Sequence, residues 1–156
     1  MVINNRATQR IISFSDYIPL QVRAEKECFA TDYLRVRKGN QSLLELAIGE
    51  DASVCRITLL LCSEFGKTDA SYQIPDKHEN GDVFVESSGE VEASVFFCRI
   101  YQNAIKIIVS DLPVHTCVVS DSVVWELAAN GDLTSVCVID PTGHASEHCI
   151  TELQAN

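Results

Sequence analysis

The strongest constraint on the fold is a series of short apolar segments separated by turn-forming residues, with about one turn signal every ten residues. Segments of this length, rich in Val, Ile and Leu, are typical of β-strands, whereas amphipathic helices require longer periodic stretches. The sequence therefore predicts a strand-rich domain. In the first half of the chain the strand candidates are Ile11–Phe14, Ile18–Arg23, Tyr33–Arg37, Leu43–Ile48 and Val54–Cys62.

The clearest hairpin lies in the second half of the chain. Val123–Ala129 and Asp132–Ile139 flank Asn130-Gly131, a residue pair that favours a two-residue type I′ turn. In this hairpin Trp125 faces Val136, so the single tryptophan is expected in the core.

A second hairpin is predicted between Val95–Tyr101 and Ile105–Val109, joined through Gln102-Asn103. Both faces of these strands carry apolar side chains. Strands of this kind are covered on both sides, and the cover can come from the same domain or from a second subunit.

A third hairpin, between Asp82–Glu86 and Glu90–Arg99, is predicted through the three-residue loop Ser87-Ser88-Gly89. Its register places Val85 opposite Val91. One exposed face then carries four carboxylates, and no Lys or Arg lies between Lys77 and Arg99 to neutralise them. We interpret this face as a docking surface for Lys and Arg of a partner, or as an edge protected from aggregation by charge. The four candidate partner-binding residues are Asp82, Glu86, Glu90 and Glu92.

These patterns together predict a mainly β fold, an antiparallel sandwich or open barrel of seven to nine strands, in one domain covering residues 1–156. An α+β fold is the alternative. One or two short helices are expected, at Ala24–Leu34 and Ser146–Gln154. The polar stretch 68–81 predicts a surface loop.

Charge is distributed unevenly along the chain. The net charge is −10, and residues 79–156 contain 12 acidic residues but only Arg99 and Lys106 as cations. Such a field repels nucleic acid and anionic membranes and accelerates encounters with basic proteins. The first residues lack the apolar stretch of a secretory signal, which predicts a cytoplasmic protein.

The seven cysteines lie mostly inside apolar segments, and no pair has C-x-x-C spacing. In a reducing compartment a disulfide framework is not expected, so the cysteines are predicted to be buried thiols.

His144, Glu147 and His148 spell H-x-x-E-H, the pattern of one class of zinc peptidase. Pro141 and Gly143 precede it, which favours a turn over an established helix. The chain also continues too briefly to supply a distant third ligand. We interpret these as surface histidines and assign no catalytic residue, metal or cofactor.

The favoured function is a non-enzymatic acidic module that binds a basic protein and neutralises or escorts it. In charge and size alone, the chain is similar to small acidic inhibitors and immunity proteins that bacteria pair with nuclease toxins, so a nuclease toxin is one candidate partner. The alternatives are a structural homo-oligomer and a small-ligand or metal-dependent enzyme that uses Cys and His.

Overall fold

The computed structural model describes residues 1–4 and 8–155, with the backbone alone for residues 2–4. This part of the chain forms fifteen strands and one helix. The strands are β1 (Val2–Asn4), β2 (Arg10–Ser15), β3 (Ile18–Ala24), β4 (Ala30–Lys38), β5 (Ser42–Gly49), β6 (Val54–Leu61), β7 (Phe65–Lys67), β8 (Glu79–Asn80), β9 (Asp82–Phe84), β10 (Gly89–Glu92), β11 (Phe97–Ile100), β12 (Ala104–Ile108), β13 (Thr116–Ser120), β14 (Val123–Leu127) and β15 (Leu133–Ile139). The helix is α1 (His144–Gln154).

Two large sheets contain most of the strands. A six-stranded sheet has the order β10-β4-β5-β6-β3-β2, and a seven-stranded sheet has the order β7-β11-β12-β15-β14-β13-β8. One apolar core includes side chains from both sheets, such as Ile57 and Leu59 from the first and Ile105 and Trp125 from the second. The predicted mainly β sandwich with a short helix is confirmed, although it has more strands than the seven to nine expected.

The early strand predictions agree with β2 to β6. The long apolar segment Val54–Cys62 supplies β6, which lies between β3 and β5 in the interior of the six-stranded sheet. Ile57 and Leu59 are fully buried there. A near-continuous apolar sequence is typical of a strand that is covered on both faces, and most residues of β6 are buried.

The hairpin around Asn130-Gly131 is confirmed, with Trp125 paired to Val136 and fully buried. The type I′ turn is wrong, because Gly131 has a positive φ of 86° and Asn130 does not. Gly131 N–H donates to the Ala128 carbonyl at 2.9 Å, and the Ala128 N–H donates to the Asp132 carbonyl at 2.8 Å. This is a type I turn followed by a glycine bulge, a common three-residue hairpin loop.

The hairpin of β11 and β12 is also confirmed, with Ile100 paired to Ile105. Its inner face is buried in the common core by Cys98, Ile100, Ile105 and Ile107. Its outer face is only partly covered, because Phe97 and Ile108 are half-buried and Arg99 is exposed. The apolar inner face of this hairpin is therefore covered by the six-stranded sheet of the same chain.

The predicted hairpin around Ser87-Ser88-Gly89 is wrong. β9 pairs antiparallel with β1, and β10 pairs parallel with β4, so Val85 and Val91 do not face each other across a hairpin. The parallel register sets Glu90 beside Arg35 and Glu92 beside Arg37. Opposite charges on neighbouring strands stabilise a sheet, whereas the local hairpin would have opposed carboxylates.

The helix predicted over Ala24–Leu34 is also wrong. This stretch contains the end of β3, a connection and the start of β4, which pairs with β5 along almost its whole length. Sheet pairing overrides a moderate helix propensity. The C-terminal helix does form and starts two residues before the predicted Ser146, with the Ala145 N–H donating to the Asp140 carboxylate at 2.9 Å. Among the described residues, no helix is long and apolar enough to cross a membrane.

The cysteines divide into two groups. Cys28 and Cys55 form a disulfide with their Cα atoms 5.5 Å apart, which corrects the prediction that disulfides are absent. The pairing joins the connection before β4 to the start of β6, a proximity created by the sheet and not by local sequence. The five remaining cysteines are buried free thiols, as predicted: Cys62, Cys98, Cys117, Cys137 and Cys149.

The polar stretch 68–81 connects β7 to β9 and contains only the two-residue β8, which pairs with β13 near the end of the stretch. Tyr72 anchors it: its N–H donates to the Asn103 side-chain oxygen at 2.7 Å, and the Asn103 amide donates back to its carbonyl at 3.2 Å.

Candidate functional site

The structure separates the four carboxylates that the sequence placed on one face. Asp82 is buried, with 6 % of its surface exposed, while Glu86, Glu90 and Glu92 are exposed. Asp82 lies in β9, and Glu90 and Glu92 lie in β10, which belongs to a different sheet. The four residues therefore form no single ladder.

Asp82 is the centre of a buried polar network. Its carboxylate accepts hydrogen bonds from the Thr8 backbone N–H at 2.9 Å and from the hydroxyls of Thr8 and Ser120. The Arg10 guanidinium lies 3.8 Å away, and its side chain is 1 % exposed. Burial lowers the pKa of Arg10, and the charge of Asp82 opposes that shift. An enclosed carboxylate of this kind holds the fold together and cannot meet a partner's lysine.

Glu90 and Glu92 lie along the outer strand of the six-stranded sheet. Glu90 pairs with Arg37 at 3.2 Å in an exposed ion pair. Glu92 accepts a hydrogen bond from the Gly39 backbone N–H at 3.0 Å. Glu90 is thus paired with an arginine, whereas Glu92 has a neutral backbone donor and lies beside a neighbouring cleft.

This neighbouring feature is an acidic cleft of about 600 Å³, a volume within the range of binding sites. It is lined from both sheets: by β4 and β10, by the segments after β9 and β12, and by the turn between β14 and β15. Four carboxylates line it: Glu86, Glu92, Asp111 and Asp132. We call these four residues the acidic rim.

Beneath the acidic rim the cleft is apolar. Its buried apolar lining residues are Leu34, Val36, Val85, Ala93 and Val109. Val91 and Leu112 also line it and are exposed, at 50 % and 44 %. Exposed apolar side chains beside a buried apolar floor are typical of surfaces that bind a ligand or a partner.

All charged side chains that line the cleft are acidic. No Lys, Arg or His is among its described lining residues, and within the described chain no rim carboxylate forms an ion pair. The cationic group against the cleft is the α-amino group of Met1, which donates to the Gly131 carbonyl at 3.0 Å. The nearby Lys38 ammonium donates to the Ser94 carbonyl at 3.0 Å.

Neutral donors orient two of the rim carboxylates. The Ser94 hydroxyl donates to Asp111 at 3.3 Å, and the Asn130 amide donates to Asp132 at 3.0 Å. Both hydrogen bonds leave acceptor positions on the carboxylates, because an ionised carboxylate offers about four lone-pair sites. The acidic rim can therefore receive ammonium or guanidinium groups.

Sequence reasoning found two of the four rim residues, Glu86 and Glu92, and missed Asp111 and Asp132. Asp132 adjoins the Asn-Gly turn that the sequence identified, and Asp111 follows the β12 segment. Each is therefore recognisable as an acidic residue at a strand end. No local sequence pattern indicates that the ends of β12 and β14 lie next to β10.

The two histidines of the H-x-x-E-H motif lie apart from any metal site in the described part of the chain. Among the described residues, no three His, Cys, Asp or Glu side chains gather into a metal site. His144 is exposed, and the His148 Nε2 contacts the carbonyls of Ser15 and Ile18 at 3.1 and 2.9 Å. This geometry makes His148 a hydrogen-bond donor that fixes α1 to the β2–β3 turn.

A second polar cluster lies on the outer face of the seven-stranded sheet. Lys106 and Glu126 form an ion pair at 2.6 Å, and the Ser135 hydroxyl donates to Glu126 at 2.7 Å. Burial raises the pKa of the neighbouring Cys137 thiol to about 12 and that of Cys117 to about 11. Both thiols are therefore protonated at neutral pH, and the ion pair connects β12 to β14 across the sheet.

Comparison with known proteins adds no assignment: no protein-family model matches the chain, and no curated protein matches it significantly.

Proposed function

We propose that the protein is a non-enzymatic binding module that receives a basic, partly apolar segment of a protein partner in the acidic cleft. The observation that supports this most is the combination of a four-carboxylate rim with an apolar floor and no Lys, Arg or His among the described lining residues. A segment with an apolar side chain flanked by Lys or Arg complements both features. Binding of this partner would neutralise or escort it, and a nuclease toxin is one basic protein that fits.

Electrostatics and burial have separate parts in this proposal. The carboxylates increase the rate of encounter and select a cationic segment, whereas the apolar floor provides area that leaves water on binding. Glu90 is outside this site, since it pairs with Arg37. Asp82 is outside it because it is buried.

Neutralising the acidic rim should weaken binding. The variant E86Q/D111N/D132N is expected to bind the partner about tenfold more weakly, since each exposed charge pair contributes roughly 0.5 kcal/mol. The loss should be largest at low salt and fall mainly on the association rate. The measurement is affinity capture from lysate of the source cells with a salt-step elution, followed by titration of the captured protein.

The matched control is E25Q/E27Q/D76N, which removes the same number of charges from exposed residues outside the cleft. Its affinity should stay close to that of the unmodified chain. Equal losses in both triple variants would show that net charge alone attracts the partner. Unchanged binding in both would remove the cleft from the proposal.

A direct probe tests the proposed chemistry without a partner. A synthetic Lys- and Leu-rich peptide should bind and shift the NMR signals of Val91 and Leu112, and a Glu- and Leu-rich peptide should not. Shifts of similar size with both peptides would indicate an apolar surface without charge selection.

The homo-oligomer alternative has less support than the sequence suggested. Its motivation was the apolar β11–β12 hairpin, and the inner face of that hairpin is buried in the chain's own core. Light scattering that shows a dimer at high concentration would restore this alternative.

The cellular compartment can be measured separately from binding. A cytoplasmic location is a prediction from the sequence, whereas the Cys28–Cys55 disulfide is typical of an oxidising compartment. Cell fractionation with alkylation of free thiols would report both the location and the oxidation state of this pair.

A further inference from the structure

Three of the free cysteines form a chain of contacts that the proposed binding function does not use. Cys62, Cys98 and Cys149 belong to one buried cluster, and interactions with the other two thiols raise the pKa of Cys98. Cys62 follows β6, Cys98 lies in β11 and Cys149 lies in α1. The chain of thiols therefore joins the two sheets and the helix.

Cys62 is the outer end of this chain. It is 8 % exposed, whereas Cys98 and Cys149 are fully buried. Its thiol donates to the Glu64 carbonyl at 3.1 Å, and the same carbonyl accepts the Cys98 backbone N–H at 3.0 Å. The shared acceptor holds the two cysteines side by side.

The pKa values of Cys62 and Cys98 are shifted in opposite directions. The hydrogen bond from Cys98 lowers the pKa of Cys62, in opposition to burial, which raises it. Hydrogen bonds with Cys149 and Cys62, together with burial, raise the pKa of Cys98 well above its usual value. The thiolate is the reactive form of cysteine, and Cys62 is also the less buried of the two, so we assign the role of nucleophile to Cys62.

We propose that Cys62 and Cys98 form a peroxide-reactive dithiol site, in which hydrogen peroxide oxidises Cys62 and Cys98 then closes a disulfide between the two sheets. Two adjacent thiols, one near the surface and one directly beneath it, match the arrangement of a reactive cysteine and its resolving partner. This inference is independent of the acidic cleft.

The reaction balances in two steps. The Cys62 thiolate attacks one peroxide oxygen, an S–O bond forms, the O–O bond breaks, and the released hydroxide takes up a proton to give water. The Cys98 sulfur then attacks the Cys62 sulfenic acid, the S–S bond forms, and the S–O bond breaks. The proton of Cys98 leaves with the departing hydroxide as a second water. The two thiols are oxidised by two electrons, and one peroxide is reduced to two waters.

The experiment uses the full chain treated with hydrogen peroxide, followed by alkylation of free thiols and peptide mapping without reductant. We expect one new cross-linked peptide pair containing Cys62 and Cys98, with the mass of two hydrogen atoms lost and restored by dithiothreitol. Cys117 and Cys137 should remain thiols, because burial keeps both protonated.

Single substitutions test the two roles. In Cys98→Ser, Cys62 should stop at the sulfenic acid, which dimedone traps, and no new disulfide should form. In Cys62→Ser, both the trapping and the new cross-link should be lost, whereas Cys117→Ser should behave like the unmodified chain. Far-UV circular dichroism checks that each variant is folded.

Three outcomes would overturn the proposal: no reaction of Cys62 in the folded chain, a Cys98–Cys149 link in place of the Cys62–Cys98 link, or a link between two molecules. The mapping of the unmodified chain decides among these even where a substituted chain does not fold.

Discussion

Replacing Asp82 with alanine is expected to lower the free energy of unfolding by about 3–5 kcal/mol, because it removes one member of a buried ion pair. The Arg10 side chain is 1 % exposed and would keep its positive charge with Asp121 as the remaining opposing carboxylate. The hydroxyls of Thr8 and Ser120 would lose their acceptor as well. Chemical denaturation followed by circular dichroism, compared at constant m-value, measures this loss.

Glu90→Ala is the control for this prediction. Glu90 was assigned to the same surface from the sequence, but its pair with Arg37 is exposed, so the change in stability should stay within about 1 kcal/mol. If Asp82→Ala does not fold, Asp82→Asn keeps the size of the side chain and still removes the charge that pairs with Arg10. Normal stability of both Asp82 variants together with reduced partner capture would return Asp82 to the docking surface.

The contrast between Asp82 and Glu90 shows what the sequence could and could not determine. Local patterns located most strands, because alternation and turn residues act over a few positions. The hairpin of Trp125 and Val136 is correct for this reason, even though its turn type is not. These features need no knowledge of distant residues.

The pairing of β10 with β4 required such knowledge. Glu90 and Arg37 are 53 residues apart, and a parallel connection of this length leaves no turn signature in the sequence. Loop length and apolar register both favoured the local hairpin, but that hairpin would place carboxylates opposite each other. Pairing of β10 with β4 instead places Glu90 and Glu92 beside arginines. Electrostatic matching over a long separation outweighed the short-range pattern.

The acidic cleft was only half predictable for the same reason. Glu86 and Glu92 were recognised as unneutralised carboxylates, and this property is visible in the sequence. Asp111 and Asp132 join them because the segments after β12 and β14 end beside β10. Which strand ends meet is a property of the sheet order, and the sequence alone left that order open.

The Cys28–Cys55 disulfide provides the second large expected effect. The variant C28S/C55S should lose about 3.5 kcal/mol of unfolding free energy, because the bond closes a loop of about 27 residues and restricts the unfolded chain. The loop contains the residues of β4 and β5. Without the bond, this segment has a higher conformational entropy in the unfolded chain. The measurement is denaturant unfolding without reductant, and a larger m-value is also expected, since an uncrosslinked unfolded chain exposes more surface.

Reductant supplies the control for the disulfide prediction. Dithiothreitol should lower the stability of the unmodified chain towards that of C28S/C55S and leave the variant itself unchanged. The remaining cysteines are free thiols in the described structure, so reduction has no other cross-link to break. An unchanged unfolding midpoint in C28S/C55S would contradict the prediction. It would mean that Cys28 and Cys55 do not restrict the unfolded state in solution.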